Sequence, residues 1–276
     1  MTILEESMTP AFPAIPAGHA RFAGALRSEW TKLRTVRSTR WLLLALIIAT
    51  AAIGAGVSAA EATGVAHSAA RKAAFDPANW SLAVLGFTQF FFGILGVLAI
   101  SGEYTSGTIR SSLAAVPRRL RLLAAKITVI GLAALLAGEA TTLAMFFAGQ
   151  ALLRSAGAPS TTLGQPGVAR AVTATGIFLA LLSLIGTGCG TIFRRSATGI
   201  AAYVAAAFVS FLVLGLSGLH LGKYTPEIML LNSVSAVRSS AANGFLPPGW
   251  DSVTLMACYT AAALILGAVL FARRDA

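Results

Sequence analysis

The sequence predicts an all-α, polytopic membrane protein with six transmembrane helices and an amphipathic interfacial helix near its N-terminus. Three observations carry this expectation. Hydrophobic residues make up 56% of the 276-residue chain and charged ones 11%, with a mean hydropathy of +0.77, whereas a soluble domain carries about 25% charge. Six long apolar runs recur along the chain, and at ~1.5 Å per residue about 20 residues cross a ~30 Å hydrocarbon core. The basic residues gather at the ends of those runs rather than on a face of their own, which is how topology signals are distributed.

Residues 1–20 hold Pro10, Pro13 and Pro16 and no periodic pattern. They read as a flexible cytoplasmic tail ahead of one six-span membrane domain over 21–276. Phe22, Leu26, Trp30 and Leu33 then fall at helical spacing, with Arg27, Lys32 and Arg34 off that stripe. A basic helix lying in the membrane interface follows from this. Glu29 spoils the pattern, because it shares the face of Phe22. The spans are expected at about 41–60, 80–100, 127–153, 171–193, 197–219 and 252–272. The first could be mistaken for a cleaved signal, since Val57-Ser58-Ala59 resembles a cleavage site. A leader of ~40 residues containing Glu5 and Glu6 matches that poorly.

An N-terminus in the cytoplasm leaves Arg71, Lys72, Arg154, Arg170, Lys223 and Arg238 outside and the other fifteen of the 21 basic residues inside. Both termini are therefore expected on the cytoplasmic side of the cell membrane. Only Arg194-Arg195-Ser196 joins the fourth and fifth spans, so these should be antiparallel neighbours. Gly186 and Gly190 permit close backbone approach in the fourth span, within the chain or against a second copy. In the external segment 220–251, Thr225-Pro226-Glu227 starts a helix. Ile228, Leu231 and Val234 or Ser235 follow at helical spacing, with Arg238 after them, until Asn243-Gly244 and Pro247-Pro248-Gly249 break it.

Several function classes lose ground at this stage. The net charge of +11 has no soluble domain on which to form a nucleic-acid groove. Cys189 and Cys258 sit inside apolar runs, and His19, His67 and His220 are scattered, so neither a disulfide nor a metal is expected. No GxxxxGK[ST] occurs, and no Ser/His/Asp, HExxH or paired-carboxylate pattern stands out. No catalytic residue and no cofactor are expected, and the chain does not read as an enzyme.

Glu139 lies inside the third apolar run, where an ionisable group costs a few kcal/mol unless it faces the bundle or water. Thr142, Leu143 and Phe146 share its face. Glu139 and Thr142 could line a pathway or pair across a dimer; equally, Glu139 could be a protonated acid bonded to a neighbouring helix.

Between the second and third spans lies a polar, basic island, 102–119. Ile109, Leu113 and Val116 form one apolar stripe there, directed at a soluble partner or at the bilayer. Gly107 is expected to break the helix ahead of it and Pro117 to end it. Arg118, Arg119 and Arg121 follow at headgroup level. The residues alone also admit a re-entry turn with a basic anchor.

Glu103-Tyr104, Gly107-Thr108-Ile109-Arg110, Leu113 and Pro117-Arg118-Arg119 resemble the glutamate–glycine–arginine–proline signature of type-2 ABC export permeases. Ser28 to Arg34, Arg37 to Trp41 and the ending Arg273-Arg274-Asp275-Ala276 resemble actinobacterial members of that family. The resemblance implies a permease subunit of an ATP-driven exporter. It also implies a coupling helix carrying Glu103, Gly107, Arg110, Leu113 and Pro117, docked on a separate ATP-binding subunit. A second permease copy or paralogue would complete the pathway in the lipid bilayer. Two other classes stay open on the residues: an ion-gradient-driven secondary transporter, and a non-transporting immunity or sensor subunit. The cargo is not readable.

Overall fold

The computed structural model describes residues 22–35, 37–66, 75–116, 118–217, 224–234 and 250–274. The expectations for residues 1–20, Pro117, Ser235, Arg238 and 243–249 lie outside them. Among the described residues there are ten helices and no strand. They are α1 (Phe22–Thr35), α2 (Arg37–Ala66), α3 (Pro77–Ser81), α4 (Leu85–Thr105), α5 (Thr108–Ala115), α6 (Arg119–Ser155), α7 (Val168–Phe193), α8 (Ser196–Ser217), α9 (Pro226–Val234) and α10 (Asp251–Arg273). By length and composition α2, α4, α6, α7 and α10 can each cross a membrane, and α8 adds a shorter apolar stretch, Ser196–Ser210. The protein is an all-α polytopic membrane protein.

Helix α7 is the axis of the bundle. It packs against α4, α6, α8, α9 and α10. The closest of these contacts, with α4, depends on glycine in both helices. A Cβ on Gly96 would overlap the Ser183 carbonyl oxygen, and one on Gly186 would overlap the Gly93 carbonyl oxygen. One on Gly190 would meet the Val97 carbonyl oxygen at 2.7 Å. The small-residue spacing of Gly186 and Gly190 is thus used within the chain, where close main-chain approach strengthens dispersion contacts in lipid. Thr187 extends the seam by donating from Oγ1 to Gly96 O at 3.4 Å.

The second span begins later than the hydropathy suggests. Asp76 caps a separate helix, α3, its carboxylate accepting from Ala78 N at 3.0 Å and Asn79 N at 3.2 Å, with Pro77 in the first position. Trp80 belongs to this short helix, and a turn over Leu82–Val84 precedes α4. Buried Gln150 of α6 fixes α3 by donating from Nε2 to Pro77 O at 2.9 Å and to Ser81 Oγ at 2.8 Å. Its Oε1 accepts from Thr161 N at 2.7 Å.

Helix α6 has 37 residues, about 55 Å at ~1.5 Å per residue. It therefore overshoots the hydrocarbon core, and its first turns carry Arg119, Arg121 and Lys126. Arg194, with φ of 58°, closes α7 and lets α8 start at Ser196. Helix α9 packs on α7 and α10 with Ile228, Met229, Leu230 and Val234 inward, while Leu231 is exposed. It is tucked into the bundle rather than laid along a surface by a single Ile228–Leu231–Val234 stripe.

Candidate functional site

Helices α1 and α5 lie at the end of the bundle where α2 starts and α4 ends. The apolar stripe Phe22, Leu26, Trp30 and Leu33, expected on an interfacial helix, is not the face that α1 buries in the chain. Ala25 and Glu29 are its buried residues, with Leu26 packed beside them. Phe22 is exposed, and Trp30 and Leu33 flank the contact half-buried. Glu29 therefore sits in the middle of the docking face of α1, which packs on α6. What looks like a flaw in an amphipathic pattern is a partner for a charge elsewhere.

That charge is Lys126 of α6, whose side chain is 2% exposed. Its Nζ donates to Glu29 Oε2 at 2.8 Å and makes a short contact with Glu103 Oε1 at the end of α4. Lys32, one turn beyond Glu29, donates to Glu29 Oε1 at 2.8 Å, to Glu103 Oε1 at 3.3 Å and to Ser112 Oγ of α5 at 2.9 Å. Two carboxylates and two ammonium groups thus close one network across α1, α4, α5 and α6. Buried charges persist only when paired and hydrogen-bonded, and here the chain supplies both. Burial would lower the Lys32 ammonium, but its bond to Glu29 and the charges of Glu103 and Glu29 outweigh this and raise it above the usual lysine value. A raised ammonium stays charged through neutral pH, and its contribution is lost only as the solution rises past that value.

Gly107 stands between α4 and α5 with φ of 72°, the left-handed conformation that glycine adopts without strain. The chain turns there, which aims the stripe of α5 back at the bundle. Ile109 is buried against Ile100, Leu123 and Phe271, and Val116 against Ala25 and Leu122. Leu113 touches both groups. The expectation that this stripe faces a soluble partner or the bilayer is corrected, because it packs on the chain's own α1, α4, α6 and α10. The opposite face, with Thr108, Arg110, Ser111 and Ala114, is exposed. Glu103 and Arg110 are accordingly separated, one inside the charge network and one outside it. A cleft of about 200 Å³ opens between α1 and α5, lined by Ser28, Glu29, Lys32, Ser111, Ser112 and Val116.

The same end is tied a second time. Arg119 Nη1 and Arg194 Nη2 both donate to the Arg274 carbonyl oxygen, at 2.9 and 3.1 Å. Arg274 Nη1 donates to Ile192 O at 3.1 Å. The Arg194 guanidinium lies 5.5 Å from the Tyr104 ring centroid, within cation–π range. Lys126 and Ser112 were not singled out from sequence, and Lys32 was read only as part of the basic face of α1. The misfit of Glu29 was the signal that this face meets a polar partner, but nothing in the sequence says that the partner is Lys126.

Glu139 and Thr142 do not form a pair. The Thr142 hydroxyl turns back to Gly138 O and Glu139 O of its own helix, each at 3.1 Å. The Glu139 carboxyl lies over Gly176 of α7, where a Cβ would meet its Cδ at 2.5 Å. Among the described residues no ion pair reaches it. A family model described as ABC-2 family transporter protein matches residues 25–212. No curated protein matches the chain.

Proposed function

Because the chain belongs to the ABC-2 transporter family, we propose that this permease is the membrane subunit of an ATP-driven exporter, driven by a separate ATP-binding subunit that docks on α1 and α5. ATP hydrolysis belongs to that partner, since the permease sequence has no phosphate-cradling loop. A second permease copy or a paralogue completes the pathway. The observation that carries this reading is the Glu29–Lys126–Glu103–Lys32 network, centred on buried Lys126. It ties both α1 and α5 to α4 and α6, so that a displacement of this end would be passed to two membrane helices at once. Glu103, Gly107 and Leu113 hold α5 in place, and Arg110 with the rest of the exposed face meets the partner.

Charge reversal on that outer face tests the reading. Arg110→Glu with Ala114→Glu should leave the permease folded, because neither side chain is buried. Association with the cognate ATP-binding subunit should weaken by tenfold or more, on the scale of ~2 kcal/mol for a central interface anchor. Full co-purification and full cargo-stimulated hydrolysis in this variant would sink the docking assignment.

The charge asymmetry supports a cytoplasmic location for the α1–α5 end and for both termini. Reporter fusions after Gly157 and after Arg274 should then report opposite sides of the membrane. A cytoplasmic signal at Gly157 would overturn this orientation.

A further inference from the structure

We propose that the cavity between α4, α7, α8, α9 and α10 binds an amphipathic organic cation, held by the Glu227 carboxylate and the rings of Tyr203, Tyr224 and Tyr259. Its volume is about 540 Å³, inside the ~300–1,000 Å³ of small-molecule sites. Its walls are apolar apart from a few groups, and Glu227 is the one formally charged side chain among the described lining residues.

The charge and the hydrogen bonds of the lining favour a cation over an anion. Tyr203 donates from its hydroxyl to Gln89 O at 3.1 Å, and Tyr259 to Tyr224 O at 3.2 Å. Gln89 Nε2 donates to Gly86 O at 2.9 Å, and Ser210 Oγ to Ala206 O at 2.9 Å. Each of these four side chains commits a donor to a main-chain carbonyl, and no cationic side chain stands among the described lining residues to meet an anion. The acceptor side is the reverse. Glu227 Oε2 is buried without a hydrogen-bond partner among the described residues, and no ion pair reaches it there. Burial pushes its carboxyl up, its own backbone amide offsetting part of this. A cation entering the cavity supplies the charge that the site lacks, and the aromatic faces receive its apolar and cationic surface. Tyr203 is held for that role, because its ring lies directly on Gly93, where a Cβ would overlap it.

The inference rests on the exporter reading for its meaning, as a cargo site, but its test does not require the ATP-binding subunit. The purified permease in phosphatidylcholine nanodiscs is titrated with tetraphenylphosphonium and, separately, with neutral triphenylphosphine oxide. Empty nanodiscs give the lipid background, and gel filtration checks that each variant is folded. Wild type should bind the cation saturably. Glu227→Gln should weaken that binding by about tenfold or more while changing the neutral probe by less than about twofold. Ala207→Trp, which fills the cavity, should weaken both. No saturable cation binding by the wild type would overturn the proposal, and so would equal binding by Glu227→Gln or by Ala207→Trp. A permease that binds the cation as described yet never associates with an ATP-binding subunit would overturn the exporter reading and leave this one standing.

Discussion

Lys126→Met is expected to release α1 from the bundle and to abolish coupling. The substitution leaves Glu29 and Glu103 facing each other, with the half-exposed Lys32 as their remaining counter-charge. Removing one partner of a buried ion pair costs about 3–5 kcal/mol, most of it the desolvation of the charge left behind. Lys32→Met should cost far less, because its side chain is 41% exposed and water replaces much of what it provides. The measurement is amide exchange along α1, together with thermal unfolding in detergent. Exchange in α1 should rise strongly in Lys126→Met and little in Lys32→Met. Equal, small effects from the two lysines would mean that the network does not hold α1 in place.

Gly96→Val should have the largest effect on folding. The added carbons would occupy the space of the Ser183 carbonyl oxygen. Ordinary overpacking costs about 1–3 kcal/mol because side chains can shift. Here the obstacle is the main chain of α7, so the cost lies at or beyond that range and the α4–α7 seam should open. Gly102→Ala in the same helix is the control, since nothing lies within 4 Å of a Cβ there. Monodisperse, heat-resistant Gly96→Val protein would refute the claim that this seam is closed on glycine.

The fold was legible because lipid is a simple solvent. A helix that crosses it must be long and apolar, and hydropathy reads both properties directly. That is why the spans near 127–153, 171–193 and 252–272 fall within α6, α7 and α10. The start of α4 was missed because Trp80 of α3 and the residues around the turn over Leu82–Val84 form one run without a charge, and hydropathy does not register a turn. The site was legible as a place but not as a constellation. The stretch from Glu103 to Val116 announces a surface helix through its composition. Its partners, Glu29 and Lys126, are 97 residues apart, and no local pattern links an acid on one helix to a lysine on another. The inward turn of Ile109 and Val116 was invisible for the same reason, because a stripe of period 3.6 names a face and not the direction in which it points.

The seam between α4 and α7 also sets a schedule for biosynthesis. Gly96 and Thr187, which meet across it, are separated by 91 residues. At ~5–20 residues per second, α7 follows α4 out of the ribosome by roughly 5–20 seconds. For that interval the bare glycine face of α4 stands in the membrane without the helix that it was shaped to receive. Any agent that holds nascent spans together near the insertion channel would act in this window, and slowing translation between α6 and α7 should lengthen it.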